Sequence, residues 1–144
     1  ALASMGAGLP SAITAAMIYP DKKVISVCGD GGFMMNSQEL ETAIRLGVNL
    51  TVVILNDKAY GMVKWKQENM KFSDFGLSFE NPDFVKYADA YGATGHKITD
   101  SKNLKETLEL CLDTPGVHVI DCPIDYSEND QILNKDLERI SSSI

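Results

Sequence analysis

Three short runs of apolar, largely β-branched residues constrain the fold of this chain more than any other feature. They cover residues 24–28, 50–55 and 117–122, and residues 93–98 form a weaker fourth candidate. The three main runs are apolar almost without interruption. Such continuous runs are typical of strands that are buried on both faces of a parallel sheet.

Helical patterns lie between these runs. Helices are predicted over residues 9–18, from a cap at Asn36 or Ser37 to about residue 46, and over 84–91 and 101–112. Pro10 suits the first turn of the first helix, and Gly47 and Gly92 mark the ends of two others. Strands that alternate with helices in this way predict an α/β fold, a mostly parallel sheet with helices on both faces.

Composition and charge narrow the classes of function. Of the 144 residues, 44% are hydrophobic and 23% are charged, which excludes an intrinsically disordered chain. A formal net charge of −7 argues against nucleic acid and anionic membrane surfaces as partners. Three cysteines without a short spacing form neither a disulfide framework nor a CxxC motif, which favours a reducing, cytoplasmic location.

The ends of the sequence suggest a piece of a longer protein. The chain begins with Ala1, inside what reads as a structural element and without a methionine start. Residues 1–124 are predicted to be one domain. Residues 125–144 are polar and acidic, and we expect them to be an exposed segment or one that packs on a missing neighbour.

The most informative segment is residues 27–33, which follows a predicted buried strand and precedes a helix. Gly29, Gly31 and Gly32 surround Asp30, and glycines at such a turn let a phosphate approach backbone N–H groups. In open α/β sheets, ligands lie outside the carboxyl ends of the strands. A carboxylate beside a phosphate is reasonable only if a cation bridges them.

A second carboxylate completes the pattern. Asp57 follows the next predicted strand, 27 residues after Asp30, about one strand–helix–strand unit later. The spacing therefore predicts that both carboxylates lie at the same edge of the sheet. Mg²⁺ prefers octahedral oxygen ligands, typically one or two carboxylates with substrate phosphates.

Residues 29–31 (Gly-Asp-Gly) and 56–57 (Asn-Asp) at this distance resemble the binding motif of thiamine-diphosphate-dependent enzymes, with Asp57 where asparagine is usual. The resemblance implies thiamine diphosphate and Mg²⁺ as cofactors, with Asp30, Asp57 and the carbonyl of Ala59 as metal ligands. The cofactor-binding residues that it implies are Gly29, Asp30, Gly31, Gly32, Asp57, Ala59, Tyr60, Gly61 and Met62.

Further segments resemble the acetolactate synthases within that family. They include residues 5–10, 29–33 with 39–43 and Arg45, 60–63, 84–88, 91–93 and 123–126, so the likeness covers nearly the whole chain. By position, Met5 corresponds to the family's apolar wedge, which bends the cofactor so that its aminopyrimidine nitrogen approaches the thiazolium carbon. Met5 is therefore the catalytic residue that the resemblance implies in this chain.

The same resemblance implies an activity and its requirements. The reaction is decarboxylation of pyruvate, or of another 2-keto acid, followed by carboligation to acetolactate in a homodimer or homotetramer. A catalytic glutamate would come from a missing N-terminal domain, so we expect the isolated chain to be inactive. FAD, which many acetolactate synthases carry in a middle domain, is left open, as is the choice between an anabolic and a catabolic role.

Three alternatives compete with this interpretation. The chain could serve another thiamine-diphosphate-dependent 2-keto acid decarboxylase, carboligase or oxidase. It could be a nucleotide-binding module, although neither GxxxxGK[ST] nor GxGxxG occurs. It could also be a non-catalytic interaction fragment. Trp65, His96, His118 and Cys28 are interpreted as structural residues.

Overall fold

The computed structural model describes residues 4–128 and 130–142. Its described part contains one four-stranded sheet, in the order β1-β2-β4-β3, and every pairing is parallel. The strands are β1 (Ile25–Gly29), β2 (Leu50–Asn56), β3 (Thr94–Lys97) and β4 (Val117–Pro123). The predicted parallel sheet is confirmed, and the weak candidate at residues 93–98 forms β3.

The predicted helices are all present, and shorter ones accompany them. The α-helices are α1 (Gly8–Ile18), α2 (Asp30–Met34), α3 (Leu40–Leu46), α4 (Gly61–Asn69), α5 (Phe84–Tyr91), α6 (Leu104–Asp113) and α7 (Leu137–Ser141). Turns of 3-10 helix, Ser37–Glu39 and Ser101–Asn103, precede α3 and α6, and a π-helix, Asp130–Asp136, precedes α7. None of the described helices is long and apolar enough to cross a bilayer.

Two hydrophobic cores cover the two faces of the sheet. On one face, Leu50, Val52 and Ile54 of β2 pack with buried residues of α1, α3 and α5. On the other face, Val53 of β2 and Ile120 of β4 pack with α6. Because side chains alternate across a strand, each central strand contributes to both cores. The predicted arrangement of helices on both faces is confirmed.

Strand β1 departs from the prediction of burial on both faces. Ile25 and Val27 are 42% and 60% exposed, whereas β2 and β4 are buried along most of their length. The physical reason is position, since β1 lies at the edge of the sheet and α6 packs below β2 rather than below β1. An apolar run therefore predicted the strand but not its exposed face.

Local chemistry explains the start of α5 and the ends of α3 and α5. The Asp83 side chain accepts hydrogen bonds from the N–H groups of Val85 and Lys86 at the start of α5. Gly47 and Gly92 have φ values of +62° and +85° at the ends of α3 and α5, a conformation that glycine adopts without strain. Asn36 does not cap a helix with its side chain, and its Nδ2 donates to the carbonyl of Gly6 at 2.8 Å.

Candidate functional site

A cavity of about 530 Å³ opens at the carboxyl ends of β1 and β2. The register pairs Gly29 with Leu55, so Asp30 and Asp57 follow neighbouring strand ends. Every site residue predicted from the sequence lines this cavity, namely Met5, Gly29, Asp30, Gly31, Gly32, Asp57, Ala59, Tyr60, Gly61 and Met62. The structure thus brings the predicted set together, and the role of each residue stays a prediction.

Asp30 is a buried carboxylate held by hydrogen-bond donors. Its side chain lies at the first position of α2, and the residue is 1% exposed. Oδ1 accepts from the N–H of Gly31 at 2.8 Å, and Oδ2 accepts from the N–H of Lys58 at 2.8 Å and from Nδ2 of Asn81 at 2.6 Å. These bonds fix the orientation of the carboxylate and offset part of the cost of burying it.

Asp57 shares this corner of the cavity with Asp30. Its Oδ1 accepts a long hydrogen bond, 3.3 Å, from the N–H of Ala59. Burial raises the pKa of the Asp57 carboxyl, and the negative charge of Asp30 raises it further. Among the described residues, neither carboxylate forms an ion pair. Two adjacent carboxylates are ligands of the kind that a divalent metal ion such as Mg²⁺ takes.

Hydrogen bonds hold the backbone that directly follows Asp57. Lys58 has a φ of +56°, the left-handed region that few residues other than glycine adopt. Its N–H donates to Asp30, and its carbonyl accepts from the N–H of Phe79 at 2.9 Å. The N–H of Tyr60 donates to the carbonyl of Leu77. The carbonyl of Ala59, which lies between Lys58 and Tyr60 in the sequence, takes part in neither of these backbone bonds.

The cavity wall leaves no room for a side chain at Gly31. A Cβ at Gly31 would lie 2.7 Å from Cε1 of Tyr60 and 3.4 Å from Cε of Met5. Met5, 46% exposed, therefore projects toward the glycine turn, and its role as a wedge stays a prediction. The N–H of Gly31 already donates to Asp30, so a phosphate that approached this group would replace that bond.

Gly61 is small for a second reason. A Cβ there would overlap Oδ2 of Asp57 and would lie 2.8 Å from Cε2 of Tyr126. Helix α4 starts at this residue, and the first N–H groups of an α-helix have no partner within the helix. The start of α4 therefore meets both the Asp57 carboxylate and the cavity.

A series of side-chain hydrogen bonds that the sequence did not predict leads away from Asp30. Nδ2 of Asn81 also lies 2.9 Å from Oδ1 of Asn56, whose Nδ2 donates to Oδ1 of Asp121 at 2.7 Å. Nζ of Lys97 lies 3.5 Å from Oδ2 of Asp121, which is 4% exposed. The Asn81-Pro82-Asp83 sequence signalled only a helix start, and no local pattern links Asn81 to the acids.

Tyr126 and Trp65 extend the site on the side of Asp57. Tyr126 lines the main cavity, and burial, followed by the charges of Asp57 and Asp30, raises its pKa. Trp65 lines an adjoining cavity of about 320 Å³ that also contacts Asp57, and its buried Nε1 finds no acceptor in the described part of the chain. Tyr126 belongs to the polar segment 125–144, whose separation from residues 1–124 stays a prediction.

Comparison with known proteins gives the family of this site. Residues 1–122 match the family model "Thiamine pyrophosphate enzyme, C-terminal TPP binding domain". The chain belongs to the thiamine pyrophosphate enzymes. Thiamine pyrophosphate is another name for thiamine diphosphate, so the organic cofactor implied by the resemblance of residues 29–31 and 56–57 is confirmed.

Relatives of this thiamine pyrophosphate domain are acetolactate synthases. The chain is 38% identical to the acetolactate synthase of Bacillus subtilis (strain 168) over 136 residues, which are 94% of the chain and 24% of that protein. It is 39% identical to the catabolic acetolactate synthase of Raoultella terrigena over 132 residues, 92% of the chain and 24% of that protein. The chain spans about a quarter of the length of these relatives.

A solved structure supports the fold of the thiamine pyrophosphate domain. The thiamine diphosphate-dependent 4-hydroxybenzoylformate decarboxylase of Rhodococcus jostii RHA1 superposes with a TM-score of 0.78 at 26% sequence identity. The match covers 85% of this chain and 24% of the decarboxylase chain. The chain is thus a thiamine-diphosphate enzyme domain related to acetolactate synthases.

Proposed function

We propose that this chain holds the diphosphate and Mg²⁺ of thiamine diphosphate in an enzyme that decarboxylates pyruvate and joins the product to a second pyruvate, giving acetolactate. The observation that carries the proposal is the pair Asp30 and Asp57, two acids at the wall of one cavity, where the charge of Asp30 raises the pKa of Asp57. The names of the related acetolactate synthases support the reaction.

The residues present fit both groups. The carboxylates of Asp30 and Asp57 and the carbonyl of Ala59 would bind Mg²⁺, and all three residues line the cavity. Gly61 and Met62 begin α4 and offer N–H groups without intrahelical partners to a diphosphate. A cation beside the two acids would also offset their mutual repulsion.

The chain's own residues orient and enclose the cofactor. Three donors hold Asp30 in one orientation before any ligand arrives, so little ordering is left for binding. The side chain of Met5 lies over the glycine turn, where it would wedge the cofactor and exclude water. When bound, thiamine diphosphate supplies the electron sink for cleaving the bond beside a keto carbon.

The remaining requirements lie outside this chain. A glutamate from an N-terminal domain would complete the catalytic set, in a homodimer or homotetramer located in the cytoplasm, and the isolated chain would not turn over. Whether FAD binds depends on a middle domain.

A second candidate keeps the cofactor and changes the reaction. The structural relative from Rhodococcus jostii is a decarboxylase of an aryl 2-keto acid. Decarboxylation without carboligation, on a substrate of that kind, therefore competes with acetolactate formation. A non-catalytic role would require that the acids bind no cofactor.

The deciding experiment uses the full-length protein that carries this chain. We expect acetolactate from pyruvate with Mg²⁺ and thiamine diphosphate, and none without the cofactor. Benzoylformate turnover without acetolactate would support the second candidate. Asp30→Ala should abolish Mg²⁺-dependent cofactor binding, while Asp21→Ala, an exposed control, should not. Unchanged cofactor affinity in Asp30→Ala would overturn the metal-bridged site.

A further inference from the structure

Both histidines of the chain lie side by side, away from the cofactor cavity. His96 is on β3 and His118 on the neighbouring β4, where the register pairs Thr94 with His118 and His96 with Ile120. Cys111 of α6 approaches them from the core below the sheet. One ligand atom from each of these three residues lies within 4.8 Å of the other two. None of the three lines the cavity that holds Asp30 and Asp57.

One hydrogen bond identifies the tautomer of the His118 ring. Its Nε2 lies 3.0 Å from the carbonyl oxygen of Thr114. A carbonyl only accepts, so Nε2 carries the hydrogen, and Nδ1 of the neutral ring presents a lone pair. That Nδ1 lies 3.3 Å from Nε2 of His96. His118 thus points an available lone pair into the cluster.

The nitrogen–nitrogen distance of 3.3 Å, with the sulfur within 4.8 Å of both nitrogens, is compatible with a zinc ligand set. Two nitrogens that each lie about 2.0–2.1 Å from a tetrahedral Zn²⁺ are about 3.3 Å apart, and a thiolate ligand is compatible with both. Zinc-binding histidines usually donate their other ring N–H to a carboxylate or a backbone carbonyl, which fixes the tautomer. The bond from His118 to Thr114 already has this form.

The burial of Cys111 and His118 argues for a preformed site rather than a chance grouping of surface side chains. Cys111 and His118 are 2% and 3% exposed, while His96 is half-buried and leaves one side of the cluster open to solvent. Zinc sites with three protein ligands keep a fourth position for water. The cluster likewise offers three protein ligands, of which two are buried and the third, His96, lies at the side that is open to solvent.

We propose that His96, Cys111 and His118 bind a Zn²⁺ ion, with water in the fourth position. On binding, the Cys111 thiol releases one proton to solvent, and His96 moves its ring hydrogen from Nε2 to Nδ1 so that Nε2 can bind the metal. The ion would join α6 to β3 and β4. The site is independent of the proposed acetolactate synthesis, which uses the cavity at the carboxyl ends of β1 and β2.

The test is a Co²⁺ titration of the reduced, full-length protein with its cofactor site saturated by Mg²⁺ and thiamine diphosphate. Co²⁺ is the spectroscopic probe for a zinc site. We expect one equivalent per chain, thiolate-to-cobalt charge-transfer absorption, four-coordinate visible bands, and displacement of cobalt by Zn²⁺. A cobalt ion at Asp30 and Asp57 would give no thiolate band. Absence of that band at millimolar Co²⁺ would overturn the proposal.

Variants assign the ligands. Cys111→Ala should lose the charge-transfer band, whereas Cys122→Ala, another buried cysteine of the same core, should keep it. His96→Gln lies at the open side of the cluster, so it tests the site even if Cys111→Ala does not fold. We expect His96→Gln to weaken Co²⁺ binding at least ~10-fold. An unchanged Co²⁺ affinity in His96→Gln would refute the ligand set.

Discussion

Nδ2 of Asn81 donates a 2.6 Å hydrogen bond to Oδ2 of Asp30, 51 residues earlier in the chain. The same amide nitrogen lies 2.9 Å from Oδ1 of Asn56, at the end of the neighbouring strand. Asn81 therefore connects the segment before α5 to the ends of both strands that carry the acids. A buried carboxylate that loses such a donor still carries the free-energy cost of desolvation, but it no longer has the hydrogen bond that offset part of that cost.

Asn81→Ala should destabilise the protein and loosen the metal site. Because Asp30 would lose one of its donors, we expect the free energy of unfolding to fall by about 1–3 kcal/mol, measured by urea denaturation. Affinity for Mg²⁺ with thiamine diphosphate should fall as well. Asn103→Ala is the matched control, since Asn103 is exposed and makes no capping bond with its side chain. Equal stability of the two variants would contradict the role assigned to Asn81.

Asp57→Asn separates charge from coordination. The amide keeps an oxygen ligand but removes the repulsion by Asp30 that helps to raise the pKa of Asp57. The metal-free variant should therefore melt at a higher temperature than the wild type. Its Mg²⁺ affinity should be about 10-fold lower, because one ligand charge is lost. Asp21→Asn, a change of an exposed aspartate, should alter neither quantity. A metal-free Asp57→Asn that melts below the wild type would refute the repulsion.

The pH dependence of stability follows from the same carboxyl group. The folded state raises the pKa of Asp57 above its ordinary 3.8, so the folded state binds this proton more tightly than the unfolded state does. Ionisation then costs folding free energy as the pH rises from 3.8 through the raised pKa. The stability difference between metal-free Asp57→Asn and wild type should grow across that window and then level off. A difference that stays constant with pH would argue against the shifted pKa.

Gly61→Ala tests the close approach of α4 to the acids. Its Cβ would overlap Oδ2 of Asp57, so we expect the carboxylate to move, cofactor affinity to fall at least ~10-fold and stability to drop by about 1–3 kcal/mol. Isothermal titration with thiamine diphosphate and Mg²⁺, together with thermal melting, measures both effects. Gly29→Ala is the steric control for stability, because its Cβ would have no neighbour within 4 Å and its φ is −69°. A Gly61→Ala variant as stable as Gly29→Ala would be the contrary result.

Periodicity and local chemistry predicted most of the fold. The buried strands β2 and β4 and the capped helix α5 are determined by short-range patterns, which explains why their bounds agreed closely with the sequence. Helix α2 was not anticipated as a helix, because it begins with Asp30 and two glycines, which are poor helix formers. The exposed face of β1 depends on its place at the sheet edge, which no property of the strand's own sequence encodes.

The site was predictable only where spacing carries information. Asp30 and Asp57 were found because one strand–helix–strand unit separates them and places them at one edge of the sheet. Asn81 reaches that edge through a tertiary contact from the loop before α5. Its sequence neighbours, Pro82 and Asp83, indicated only the start of a helix, so nothing local predicted this contact. The same limit applies to the cluster of His96, Cys111 and His118, whose members come from three separate elements.

The left-handed backbone at Lys58 has a consequence for how the protein could be altered. A glycine at this position would relieve a conformation that costs about 1–2 kcal/mol in other residues. It would also give the unfolded chain more freedom. The peptide N–H that now holds Asp30 would then belong to a more pliable segment. Replacing Lys58 by glycine would thus relieve backbone strain directly after Asp57 and would hold the neighbouring Asp30 less rigidly.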